Sequence, residues 1–202
     1  MKIAIIAGSH RPDSQSGKVA RYIASRLPPL APGASGYVLE LGKTPLPLWD
    51  EDIWKGSGPV VDAWRPVSQE IAPCDAVVVV APEWAGMVPA ALKNFFLLAS
   101  DGCLYHKPAL IVGVSASRNG AYPVAELRMS SYKNTHLHYI PEQVIVRSVG
   151  EVLNGGEAQS EEDGAIRRRI DYALAVLLEY GKALSSVRAS GVLNRKEFPY
   201  GM

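Results

Sequence analysis

The chain has 202 residues, 48% of them hydrophobic, with 21 lysines and arginines against 20 aspartates and glutamates for a formal net charge of +1. That length supports one core and a single domain over residues 1–202, and so even a charge balance excludes bulk electrostatics as the means of holding nucleic acid or an anionic membrane. Two cysteines, Cys74 and Cys103, lack CxxC spacing, which excludes a disulfide framework and a cysteine-built tetrahedral metal site; a reduced, cytoplasmic setting is the expectation.

In chain order the first element is a strand at Ile3–Ala7. Its apolar run is too short for a secretory h-region and stops at Gly8-Ser9-His10-Arg11. A helix follows over Gly17–Leu27, then a strand at Tyr37–Leu41. The proline-rich stretch Lys43–Pro59, with Trp49, Asp50, Asp52 and Trp54, reads as a long loop of the kind that is functional or covers an interface. Next come a helix at Val60–Ile71, a strand at Ala76–Ala81, a helix at Pro89–Ala99, a strand at Ala109–Val114, a helix at Ala121–Asn134 and a weaker strand at Gln143–Val149. A long helix runs from Ala165 to Val187, with Ile166, Ile170, Ala173, Leu174, Leu177, Leu178 and Leu184 on one stripe and Arg167 to Arg169 on a solvated face. The tail, residues 190–202, shows no periodicity and is expected to be loose or to dock on a partner subunit. No apolar stretch approaches the ~20 residues that cross a bilayer, so a soluble protein is expected.

The first, third and fourth strands are apolar at every position, the pattern of strands covered on both faces. Five strands alternating with five helices give an α/β doubly wound parallel sheet, order 2-1-3-4-5, with helices on both faces. Such sheets bind ligands beyond the carboxyl ends of the strands where the order reverses. Here that selects the loops after strands one, three and four.

The first of these, Gly8-Ser9-His10-Arg11-Pro12-Asp13-Ser14-Gln15-Ser16-Gly17-Lys18, brings three serines and a run of backbone N–H groups to a helix N-terminus, a neutral cradle for phosphate. A serine cap alone needs one of them. GxGxxG is absent and the Walker A spacing fails, which disfavours ATP and Rossmann-type NAD binding; a single terminal phosphate, as in FMN, suits the loop. The second, Pro82 to Asn94, holds two prolines, a glycine, a tryptophan and a carboxylate. Trp84 there either flanks a flat ligand or packs into a core or interface. In the third, Gly113-Val114-Ser115-Ala116-Ser117 is one residue short of a GxSxG elbow, so a serine hydrolase using Ser115 is a rival reading, against which no HGGG-type oxyanion loop occurs. His136 and His138 would share one side of an extended segment without an evident third metal ligand, so a surface or interface role is expected. His10 and His106 have no partner legible in sequence.

The first loop resembles the GSxRxxSxS pattern of the NAD(P)H-dependent FMN reductases, a flavodoxin-like family that includes quinone, chromate and azo-dye reductases. Pro82-Glu83-Trp84-Ala85-Gly86-Met87-Val88-Pro89-Ala90-Ala91-Leu92-Lys93-Asn94 is similar to that family's PEYNxSVPxxLKN, and Pro47-Leu48-Trp49-Asp50 to its PLYD. The resemblance spans roughly the first 150 residues in the right order.

It implies a flavodoxin-like fold and bound FMN, with Ser9, Arg11, Ser14, Gln15 and Ser16 around the phosphate. The main chain of Pro82, Glu83, Trp84, Ala85 and Gly86 would edge the isoalloxazine, Gly86 allowing close approach and Trp84 lying beside the ring. Ser115, Asn119 and Gly120 would supply backbone donors near the pyrimidine edge, and Arg118 would meet the 2′-phosphate of NADPH. Hydride passes from NADPH or NADH to flavin N5, then electrons pass to a quinone, free flavin, azo dye or chromate, without a catalytic side chain. A homodimer or homotetramer is implied, with Trp49 to Trp54 near the neighbouring flavin. The chain departs from the pattern at Ala85 for asparagine, Met87 for serine, and Ser117 and Asn119 for glycines of SxGxxGG, where Asn119 is expected to tolerate left-handed backbone. These departures keep open an FMN-binding electron-carrier module without nicotinamide turnover.

Overall fold

Successive side chains of a strand face opposite ways, so a strand apolar at every position needs cover on both faces. In the computed structural model, which describes residues 1–201, β3 (Ala76–Pro82) and β4 (Pro108–Val114) are buried throughout. With β1 (Lys2–Ala7), β2 (Ser35–Glu40) and β5 (His138–Val146) they form one parallel sheet in the order β2-β1-β3-β4-β5. The expected topology is the observed one.

Alternation divides the core in two. Ala4, Ile6, Val77, Val79, Ala109 and Ile111 face the layer of α3 (Pro59–Ile71), α4 (Ala90–Leu98) and α5 (Ala121–Met129). Ile3, Ile5, Val78, Val80, Leu110 and Val112 face α1 (Gln15–Leu30) and α6 (Glu161–Ala189). Each fully buried valine or isoleucine contributes about 1.5–3 kcal/mol, which makes this double cover the main stabilising term.

Several boundaries differ from the pattern read in the sequence. The long loop after β2 contains a single helical turn, α2 (Asp52–Lys55), closed by left-handed Gly56. The fifth strand starts at His138 and ends at Val146, so the expected Gln143–Val149 catches only its second half. Pro141 hides the first half: it has no N–H for a ladder, and the pairing with β4 shifts register between Ala109 and Ile111, opposite Tyr139 and Gln143. An edge strand tolerates this. Helix α5 stops at Met129 rather than Asn134, and Ser131 beyond it is left-handed.

The basic triplet is also not a solvated face. Arg167 pairs with Asp163 at 2.9 Å and donates to the carbonyls of Gly155 and Gly156, and Arg169 binds Glu142 and the carbonyl of Gln143. Long guanidinium stems reach loop carbonyls that helical periodicity does not reveal. Only Arg168 of the three is exposed. The tail folds back on its own chain up to Gly201, whose N–H donates to the Lys133 carbonyl at 2.9 Å; Met202 lies outside the described residues.

Candidate functional site

Three loops meet beyond the carboxyl ends of β1, β3 and β4. At the first, Ser14 is the N-cap of α1: its hydroxyl accepts the Gly17 N–H at 3.0 Å. The Lys18 N–H is bonded to the Ser14 carbonyl at 3.2 Å. The N–H groups of Gln15 and Ser16 have no bond among the described residues, and no acidic residue stands in the first turn of α1. This is the donor set a helix N-terminus offers an anion. Ser16 is buried beside it, Gln15 and Arg11 are exposed, and Ser9 is buried with its hydroxyl accepting the Arg11 N–H at 3.2 Å.

Lys18 does not join this cradle. Its ammonium turns to the far side of α1 and donates to the carbonyls of Val149 and Val152 at 2.5 and 2.9 Å and to Asn154 Oδ1 at 2.7 Å. It thus ties the loop after β5 to the entry of α1, and burial lowers its pKa despite Asp163 nearby.

The loop after β3 is a two-residue hairpin. Trp84 and Met87 exchange both backbone hydrogen bonds, at 3.0 and 2.9 Å, around Ala85 (φ 48°) and Gly86 (φ 73°). Two positive φ angles define a type I′ turn, whose preferred first residue is asparagine or aspartate. Position 85 is therefore set first by backbone conformation, and an alanine there carries strain of roughly 1–2 kcal/mol. Gly86 is likewise favoured by its φ, since no protein atom lies within 4 Å of where a Cβ would stand and only the backbone conformation restricts the position within this chain.

Trp84 is half-buried and outside both core clusters, and its ring meets that of His10 edge-on at 4.4 Å between centroids. The contact joins the first loop to the second and gives His10 the partner its sequence context lacked. Glu83 joins the second loop to the third: its N–H donates to the Val114 carbonyl at 2.9 Å, and its Oε2 accepts the N–H of Gly120, N-cap of α5, at 2.6 Å. The Gly120 N–H, expected among the donors for a ligand, is thus already engaged.

In the third loop the left-handed residue is Gly120 (φ 105°), whose missing Cβ would lie 2.6 Å from Ile145 Cγ2, and not Asn119. Arg147 Nε donates to the carbonyls of Arg118 and Asn119 at 2.6 and 3.2 Å, which fixes the loop from β5. The Arg118 side chain is exposed. Ser115 is buried, and its hydroxyl accepts the Ser117 N–H at 3.2 Å. A serine nucleophile needs a base in hydrogen-bond reach, and among the described residues no histidine bonds Ser115.

One organising residue escaped the sequence reading. Asn94, buried at the end of the second motif, accepts the Trp49 N–H at 2.7 Å and donates to the Pro47 carbonyl at 2.8 Å. It pins the Pro47-to-Asp50 segment against α4, and only the recurrence of both segments in one chain hinted at the link. Glu126 of α5 binds the Val88 N–H at 2.7 Å and Lys93 at 2.5 Å; burial opposes its charge, but these bonds win and hold its carboxyl below the usual range. Between α4, α5 and the Trp49–Trp54 loop lies an apolar cleft of about 890 Å³, walled by Trp49, Trp54, Phe96, Leu97 and Met129.

A parallel sheet of this order, with its loops converging at the reversal point, defines the flavodoxin-like class. Residues 1–151 match the family described as NADPH-dependent FMN reductase, and the chain belongs to that family. It is similar to a quinone reductase from Pseudomonas putida, 34% identical over 125 residues, which cover 59% of this chain and 63% of that protein. The chain therefore spans a little under two thirds of that relative. It is 30% identical over 169 residues to a 2-hydroxy-1,4-benzoquinone reductase from Burkholderia sp., covering 80% of this chain and 87% of the relative. Among solved structures, a flavoenzyme NAD(P)H:acceptor oxidoreductase from Paracoccus denitrificans superposes with a TM-score of 0.68 over 90% of this chain and 97% of that one, at 21% identity.

Proposed function

We propose that this chain is an oxidoreductase that holds FMN across the loops after β1, β3 and β4. The observation that carries the reading is the open donor pair at Gln15 and Ser16, on a capped helix without acidic residues in its first turn, one loop away from the half-buried Trp84. These residues fit the group: an uncharged N–H cradle suits a phosphate monoester, and a shelf of tryptophan and main chain suits a flat ring.

FMN would supply the redox chemistry, taking a hydride from NADPH or NADH and passing electrons to a quinone, free flavin, azo dye or chromate. The protein's part is positioning. Ser14 holds the first turn of α1 in register, leaving Gln15, Ser16, Ser9 and Arg11 to face the phosphate. The Pro82-to-Gly86 main chain, stiffened by its type I′ turn, edges the ring, and Glu83 locks it to the third loop. Rigid loops lower the entropy lost on binding. Ser115, Asn119 and Gly120 would shape the pyrimidine end, and the exposed Arg118 would meet a 2′-phosphate.

The same reading includes a homodimer formed through the α4–α5 face, in the cytoplasm. Trp54, Leu97 and Met129, each more than half exposed, line the apolar cleft, a patch that a lone chain leaves costly in water. The test is direct: purified protein reconstituted with FMN should oxidise NADPH or NADH in the presence of a quinone. FMN binding without nicotinamide oxidation would leave only an electron carrier, and no FMN binding would overturn the reading.

A further inference from the structure

At the opposite end of the sheet, before β3 and β4, Lys107, Arg188 and Arg195 line one hollow of about 530 Å³. Lys107 is buried, 4% exposed, and two of its three ammonium protons go to the carbonyls of Ile71 and Ala72 at 2.8 Å each, where they cap the C-terminus of α3. Arg188 donates only to the His106 carbonyl, at 3.1 Å, and Arg195 only to the Asp101 carbonyl, at 3.2 Å. Among the described residues none of the three forms an ion pair, although Lys2, Arg21, Arg26 and Arg167 all do.

Helix capping accounts for Lys107. It does not account for two guanidinium groups lining the same hollow without an ion pair, since like charges there raise each other's energy. Arg195 is seated by design: its guanidinium lies over the Tyr105 ring at 4.5 Å and closes against Gly102, where any Cβ would collide with it. Asp75 is the one carboxylate of the lining, and its Oδ2 is already taken by the Lys2 N–H at 2.9 Å. Burial lowers the Lys107 pKa and Arg188 lowers it further, partly offset by Cys74, Cys103 and Asp75, so an added anion would relieve the set.

We propose that this hollow binds a phosphate group, free or as the end of a small phosphomonoester, between Lys107, Arg188 and Arg195. The third Lys107 proton and the free edges of both guanidinium groups supply charge-assisted donors, the arrangement arginine favours for oxyanions. Tyr105 and Leu193 give an organic substituent an apolar wall. Because Arg195 sits on the tail, the bound anion would also tie the tail to the loops before β4. The site is separate from the FMN reading and stands without it.

The experiment is calorimetric titration of the full chain with inorganic phosphate and with phenyl phosphate, at ionic strength fixed with sodium chloride, for wild type and for R188Q/R195Q. Lys107 is left intact so that α3 keeps its cap. The wild type should bind at least one of the two probes saturably, and the double variant should lose at least about tenfold in affinity. Phosphate held by the N-terminus of α1 would survive the double substitution, which separates the two sites. Tighter binding of phenyl phosphate would identify an organic phosphate, and tighter binding of the inorganic ion a free one. As a second readout, phosphate should slow hydrogen exchange over residues 101–107 and 188–197 in the wild type only. Absence of saturable binding, or equal binding by wild type and variant, would overturn the proposal.

Discussion

Glu83 Oε2 accepts the N–H of Gly120 at 2.6 Å, so one carboxylate joins the loop after β3 to the N-terminus of α5. Charge-assisted bonds of this kind contribute about 1.5–3 kcal/mol. Glu83→Ala should lower urea stability by that order and weaken FMN binding, because both loops lose their brace. Glu83→Gln, which retains an acceptor oxygen, should recover most of the loss. Equal effects of the two substitutions on stability would show that the bond is unimportant.

Ala85 occupies the first left-handed position of the Trp84–Met87 turn. Ala85→Asn should raise the melting temperature, gaining up to about 1 kcal/mol from relief of backbone strain. A lower melting temperature would mean the alanine methyl has a packing role that its exposure conceals.

Asn94 makes two buried hydrogen bonds to the Pro47–Trp49 backbone. Asn94→Ala should cost about 2 kcal/mol, at roughly 1 kcal/mol for each bond. Trp49 and Trp54 should report this locally, through red-shifted, more quenchable tryptophan emission below the global transition. Unaltered quenching would argue that the loop is held by its other contacts.

Asp163 is fully buried at the start of α6; burial opposes its charge, but Arg167 and the N–H groups of Leu153 and Gln159 hold its carboxyl below the usual range. A carboxylate depressed on folding stabilises above its unfolded pKa, and that contribution is lost as pH falls toward the folded value. The stability difference between wild type and Asp163→Asn should therefore be largest at neutral pH and shrink progressively below about pH 4. A difference that stays constant from pH 7 to pH 3 would contradict the ionised pairing.

The sheet was legible because β1, β3 and β4 carry uninterrupted apolar runs, and strand order follows from connection rules that need no side-chain detail. β5 was half hidden because Pro141 broke its pattern, and a proline is harmless on an edge strand with a register shift. The loops after β1 and β3 stood out by composition. What their residues do was less legible: Ser14 serves as a cap, and Ala85 and Gly120 are set by φ. The links made by Lys18, Asn94 and Arg147 join positions 28 to 136 residues apart, which local patterning cannot see.

Trp84 is half-buried, and its ring meets that of His10 edge-on. Trp84→Ala should leave the melting temperature of the FMN-free protein nearly unchanged while altering bound-flavin absorbance or lowering FMN affinity; aromatic contacts contribute about 0.5–1.5 kcal/mol beyond area. A loss of about 3–5 kcal/mol in FMN-free stability with normal flavin binding would instead mark it as packing.

If the N-terminus of α1 holds the flavin phosphate, Gln15→Glu should act on fold and ligand with opposite signs. Gln15 is exposed at the first position of α1, so a carboxylate there favours the helix dipole by about 0.3–1 kcal/mol and leaves the fold intact or slightly more stable. The same carboxylate repels a phosphate bound at the Gln15 and Ser16 N–H groups, at a cost of a few kcal/mol for charges about 4 Å apart near a surface. The measurement is fluorescence titration of the FMN-free wild type and Gln15→Glu variant with FMN and with riboflavin, alongside thermal unfolding. FMN affinity should fall at least tenfold in the variant, roughly a 1.4 kcal/mol change, while riboflavin affinity and melting temperature hold. FMN binding as tight in Gln15→Glu as in wild type would place the phosphate elsewhere and contradict the account.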